Sequence, residues 1–117
     1  MKGRLIRQSY FRYVHFCTRL KEEGIEPMVA LHHFTHPGWF EKEGSFEREE
    51  NIPYFVDFAK RVYEVLNPHV KYFCTINEPM IVAFSGYILR RFPPKHNQLS
   101  GFGRGVEASF NGALPNV

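Results

Sequence analysis

The chain has 117 residues, 44% of them hydrophobic and 23% charged, which bounds it to one domain at most and places it among ordinary globular proteins. Net charge is +3 with no Lys/Arg block beyond Arg90-Arg91, so the basic stripe of a nucleic-acid-binding protein is missing. Two cysteines, Cys17 and Cys74, are too few for a disulfide framework, and no run approaches the roughly 18 apolar residues of a membrane span. Aromatics are abundant at 16%, which fits both a well-filled core and a carbohydrate cleft where flat rings stack on sugar faces.

In chain order, Met1-Lys2-Gly3-Arg4 is followed by no apolar segment of a signal peptide, so the cytoplasm is the expected compartment. Tyr10, Val14, Cys17 and Leu20 recur at helical spacing, and Phe11, Tyr13 and Phe16 widen their face. They predict a helix over about 7–23, ended by Gly24. Pro27 then opens a short apolar run to Leu31 that predicts a strand buried on both faces. A loop follows over 32–40, and the polar, acidic stretch 45–51 predicts a surface turn or short helix. A second amphipathic helix is expected from about Pro53, with Phe55, Val56, Ala59, Val62, Tyr63 and Leu66 as its buried stripe and Asn67-Pro68 as its stop. Residues 70–76 predict the second strand and 80–89 a further helix, ended by Phe92-Pro93-Pro94. From Asn97 onward Gly, Ser and Asn dominate, and loop or disorder is expected.

Helices alternating with strands predict an α/β fold with a parallel sheet and right-handed crossovers. Two strands do not make a stable parallel sheet alone, so the pattern implies part of something larger or a partnered unit. In such folds functional groups collect beyond the carboxyl ends of the strands. His32-His33-Phe34 follows the first strand and Asn77-Glu78 the second. One parallel neighbour apart, they fall on one rim, roughly 5–10 Å from each other given a strand spacing of about 4.8 Å. An imidazole, an amide and a carboxylic acid so placed suit the binding of sugar hydroxyls and the protonation of a glycosidic oxygen.

Glu78 beside an apolar strand is expected to be desolvated, which raises a carboxyl pKa and keeps it a proton donor. The other reading is a helix-end acid that complements the dipole of the following segment. His33 is read as a hydroxyl ligand. His32, His33 and His36 also spell a metal-like cluster, but adjacent strand residues point to opposite faces and cannot easily share an ion. The simpler reading of His32 and His36 is packed or solvated rings. Trp39 reads equally as a sugar platform or as core, and both cysteines as small core residues.

These residues resemble a known family. Thr75-Ile76-Asn77-Glu78-Pro79 resembles the T-F/L/I-N-E-P signature of family 1 glycoside hydrolases, the β-glucosidase family. "GIEPMVALHHFTHPGWF" (24–40) resembles the family's third strand and loop, "ENIPYFVDFAKRVYEVLNPHVKYFCTINEP" (50–79) its third helix and fourth strand, and "AFSGYILRRFPP" (83–94) the segment after. The resemblance covers about 7–98 and implies about a quarter of a (β/α)8 barrel, helix 2 to strand 4, over residues 1–98, with a divergent tail over 99–117. It implies retaining hydrolysis of terminal β-linked sugars, Glu78 as general acid/base, and Asn77, His33 and Phe34 as substrate contacts. It implies no metal or other cofactor, a β-glycoside small molecule as partner, and neither nucleic acid nor membrane.

Several departures stand beside it. The nucleophile's I/V-T-E-N-G motif, the sugar-binding Gln of the first strand and the C-terminal sugar contacts are absent. Phe34 stands where many members carry Trp, and Arg90 and Lys95 where Gly is frequent. From Gly101 the long amphipathic helix expected next is missing, an ending that resembles truncation or an altered reading frame. The 117 residues alone are therefore expected to be inactive; the second reading is a non-catalytic remnant that binds sugar or a partner.

Overall fold

The computed structural model describes residues 7–89 and 91. The expected loop from 97 and the tail over 99–117 lie outside the described residues, as do Arg90, Phe92-Pro93-Pro94 and Lys95.

Helix α1 spans Arg7–Glu22. It ends because Gly24 takes a left-handed φ of 76°. The Ile25 N–H then reaches the Leu20 carbonyl (2.9 Å) and the Gly24 N–H that of Lys21 (3.0 Å), the crossed pair of bonds that closes a helix C-terminus. Strand β1 spans Met28–His32. Helix α2, Gly38–Lys42, is a single turn and a half, followed by two 3₁₀ turns at Ser45–Glu47 and Glu49–Asn51. Helix α3 runs Ile52–Leu66 with Pro53 in its first turn, where a missing N–H costs nothing. Strand β2, Tyr72–Ile76, pairs parallel to β1 with Met28 opposite Tyr72 and His32 opposite Ile76. Helix α4 covers Pro79–Ala83 and runs directly into a π turn at Phe84–Ile88, so the helix expected over 80–89 is present, with its second half wound as π.

Two apolar clusters hold α1 and α3 to the sheet. Cys17, Val62, Leu66 and Val70 are buried together, flanked by Val14, Val29 and Phe73. Phe40, Phe46 and Phe55 form the second, flanked by Trp39 and Ile76. Leu31 and Phe58 touch both, so the core is continuous behind β1. Thr18 Oγ1 lies 3.2 Å from His69 Nδ1 and ties α1 to the turn after α3.

Four expectations about burial change. Phe11, Tyr13 and Phe16 do not widen the buried face of α1 but stand 73%, 60% and 62% exposed, because α3 covers only the Tyr10–Val14–Cys17 side. Tyr63 likewise faces outward on α3. The stretch 45–51 is not a plain surface turn. Ser45, Phe46 and Asn51 are buried, and the Asn51 side-chain amide donates to the carbonyls of Glu43 and Ser45, both at 2.9 Å. Finally, β1 is not buried on both faces. Met28 and its partner Tyr72 are exposed, since no described element packs on that side.

Candidate active site at the carboxyl ends of the strands

Both strands end on one rim, and the backbone ties those ends together. The Asn77 N–H donates to the His32 carbonyl at 2.9 Å, continuing the parallel ladder one step past β2. His33-Phe34 and Asn77-Glu78 thus leave the sheet side by side, as the alternation of helices and strands predicts.

His33 is exposed, while His32, one residue earlier, is buried. The opposite facing of adjacent strand residues separates them. Phe34 turns the chain with a left-handed φ of 69°, uncommon for an aromatic residue, and its ring meets His33 edge-on at 4.6 Å. That contact gives His33 an apolar backstop. Asn77 is half-buried and next to it Glu78 is exposed.

Glu78 also sits in a left-handed conformation, φ 47° and ψ 59°. Its carbonyl accepts the N–H groups of Ile81 (2.9 Å) and Val82 (3.1 Å), which starts α4. Its side chain makes no capping bond to that helix. A pure capping acid binds the helix's free N–H groups; here no such bond is made, and Glu78 is exposed at the end of the strand. The desolvation expected of this carboxyl is not supplied by the described residues, because the apolar strand beside it ends before Asn77.

His32 and His36 pack against each other and against aromatic rings. Among the described residues no three His, Cys, Asp or Glu side chains are grouped to hold an ion. His32 is buried against Phe46 and Phe55, and its ring lies within 27° of the plane of His36 with centroids 5.7 Å apart. Its pKa is lowered to about 4, mainly because burial penalises the charged ring, with His36 and His33 adding to the effect. His36 reaches Glu41 Oε2 from Nε2 at 2.6 Å, with Ser45 Oγ 3.2 Å from the same nitrogen. No periodicity pointed to Glu41, in the short helix α2, or to Ser45, which opens the next 3₁₀ turn, five and nine residues away. Trp39 stands edge-on to Phe40 and Tyr54, a half-buried wall of the second cluster rather than a free platform. Cys17 is buried and its thiol pKa raised by desolvation; Cys74 is half-buried, and both are free thiols. No helix among the described residues is long and apolar enough to cross a membrane.

The backbone fold is shared with known glycosidases. The chain superposes on a β-glycosidase from Pyrococcus horikoshii with a TM-score of 0.89 and 31% identity, covering 96% of this chain and 26% of that one. A β-glucosidase from Exiguobacterium antarcticum B7 gives a TM-score of 0.88 and 32% identity over 96% of this chain and 25% of its own. In sequence, a 6-phospho-β-galactosidase of Clostridium acetobutylicum is 45% identical over 73 residues, 62% of this chain and 15% of that protein. The chain thus spans about a quarter of the solved structures and about a seventh of the curated relatives it matches. The neighbours are barrel enzymes, and two parallel strands with their crossover helices are a fragment of that barrel. The family description Glycosyl hydrolase family 1 matches residues 8–110. With fold and sequence in agreement over most of its length, the chain belongs to glycosyl hydrolase family 1.

Proposed function

We propose that this chain carries the acid/base half of a retaining β-glycosidase site. One observation carries the reading: Asn77-Glu78 and His33-Phe34 leave adjacent strand ends bonded to each other through Asn77 and His32. Glu78 protonates the glycosidic oxygen of a terminal β-linked sugar as the leaving group departs, then takes the proton from the water that releases the sugar. Asn77 and His33 hold sugar hydroxyls, and Phe34 packs behind His33. Retention also requires a nucleophilic carboxylate about 5–5.5 Å from the acid/base. The family motif that bears it does not occur in these residues. The substrate is a small-molecule β-glycoside, and the reaction belongs to carbohydrate metabolism. Similarity to a 6-phospho-β-galactosidase and to β-glucosidases makes phosphorylated galactosides and plain glucosides the two glycones to try.

The test replaces the matching quarter of a family 1 barrel that has its own nucleophile with residues 8–89 of this chain. The folded chimera should hydrolyse 4-nitrophenyl β-glucoside or its 6-phospho-β-galactoside counterpart, and Glu78→Gln should lower that rate by about 10²–10⁴-fold. The 117-residue polypeptide alone should show no turnover. A folded chimera whose hydrolysis ignores Glu78→Gln sinks the assignment.

A further inference from the structure

Behind the rim lies a chain of polar contacts that the proposed chemistry does not use. His32 Nε2 is 3.4 Å from His36 Nδ1, His36 Nε2 is 2.6 Å from Glu41 Oε2, and Ser45 Oγ is 3.2 Å from that same Nε2. His32 Nδ1 is buried without a partner among the described residues. These contacts select one arrangement of protons. Glu41 as a carboxylate only accepts, so His36 Nε2 carries a hydrogen. If His36 Nδ1 also carried one, His32 Nε2 would have to accept it. The hydrogen of His32 would then sit on the partnerless Nδ1, an orphaned buried donor. With His36 Nδ1 as acceptor, His32 donates from Nε2 and leaves only a lone pair unpaired. The proton order is His32 Nε2–H to His36 Nδ1, then His36 Nε2–H to Glu41.

We infer that His32, His36 and Glu41 form a directional hydrogen-bond relay that positions the two halves of the candidate site. His32 and His36 bracket the turn that carries His33 and Phe34, so joining their rings closes that turn from behind. The carbonyl of His32 also holds the Asn77 N–H at 2.9 Å. A single buried residue thus anchors His33 by sequence and Asn77 by hydrogen bond, and the relay fixes its ring to α2 through Glu41. Ser45 closes the far end, and it is itself held where the Asn51 amide takes the Ser45 carbonyl. These are positioning residues: none of the three rings or carboxyls in the relay lies on the exposed rim with His33 and Glu78. The meaning of the relay for sugar binding rests on the function proposed above, but its existence does not.

The experiment reads the relay without any sugar. Long-range ¹H–¹⁵N spectra of the ¹⁵N-histidine-labelled 117-residue chain should show His32 and His36 both as Nε2–H tautomers, with a slowly exchanging His36 Nε2–H. Glu41→Leu, which removes the acceptor at similar volume, should abolish that slow proton, shift the His33 ring signals and speed Asn77 amide exchange by about tenfold. Glu41→Gln keeps an acceptor oxygen and should restore Asn77 exchange to within about twofold of the wild type. An Nδ1–H tautomer at His32, or no slowly exchanging imidazole proton in the wild type, overturns the relay. So does a Glu41→Leu chain with unchanged helical circular dichroism and unchanged His33 and Asn77 signals. If Glu41→Leu loses its helical signal, the wild-type tautomers and the Glu41→Gln chain decide. Tautomers as expected beside a chimera insensitive to Glu78→Gln would leave the relay standing and remove the functional reading; the converse would remove the relay alone.

Discussion

His32 is the residue whose burial has the plainest thermodynamic consequence. Its folded pKa of about 4 lies below the ordinary 6.5, so the folded state binds the proton less readily than the unfolded one. Stability is therefore complete above about pH 6.5 and falls as pH drops toward 4, by about 3 kcal/mol for the whole shift. Urea titrations of the chain between pH 7 and 4 should show this loss, and His32→Phe, which has no proton to gain, should flatten it. A wild-type midpoint independent of pH over that range would mean that the ring is open to water. Glu78 presents a different local cost. A non-glycine residue at φ 47° is strained, and such strain collects at functional positions. Replacing Glu78 by Gly should leave the chain about 1 kcal/mol more stable than replacing it by Ala, the reverse of the order inside a helix. Equal midpoints for the two variants would contradict the left-handed bend that turns the carboxyl onto the rim.

Among the elements, α3 contributes buried residues to both apolar clusters. Leu66 is 2% exposed and Val62 8%, both in the cluster that joins α1, α3 and β1, whereas Tyr63 between them is 55% exposed. Leu66→Ala should cost about 2–5 kcal/mol through lost transfer energy and the cavity left behind. Tyr63→Ser on the same helix should stay within about 1 kcal/mol of neutral. Thermal melts of the two variants check the contrast, and a Tyr63→Ser loss as large as that of Leu66→Ala would place the buried stripe elsewhere. Helix positions were legible from spacing and stop signals: α1 over 7–22 and α3 over 52–66 lie where Gly24, Pro53 and Asn67-Pro68 placed them. Which aromatic side of each helix is covered was not legible. Phe11 and Phe16 are as apolar as Tyr10 and Val14, and only the approach of α3 separates them.

At the scale of the molecule, the sheet among the described residues has two strands, and its open face carries Met28 at 68% and Tyr72 at 47% exposure. Met80, Ile81, Phe84, Ile88 and Leu89 add further exposed apolar side chains after β2. Contiguous exposed apolar surface and unpaired strand edges favour association. The 117-residue polypeptide on its own should therefore sediment as concentration-dependent oligomers, and Met28→Lys together with Tyr72→Lys should shift it toward monomer. A monodisperse wild-type monomer at high concentration would show that this face is covered by other means.

The sequence by itself determined the family and the order of the elements. It also showed that His33 and Asn77-Glu78 share a rim, because that follows from local periodicity, turn chemistry and one parallel crossover. Tertiary structure alone decided three things. It turned Glu78 out through a left-handed backbone instead of burying it. It brought Glu41 of the short helix α2 and Ser45 of the next 3₁₀ turn onto His36, contacts that follow from no sequence period. It also bonded the His32 carbonyl to Asn77, making two strand ends 45 residues apart a single rim. Each of these is a contact between segments whose spacing is set by packing, and packing is a property of the assembled core rather than of any stretch of chain.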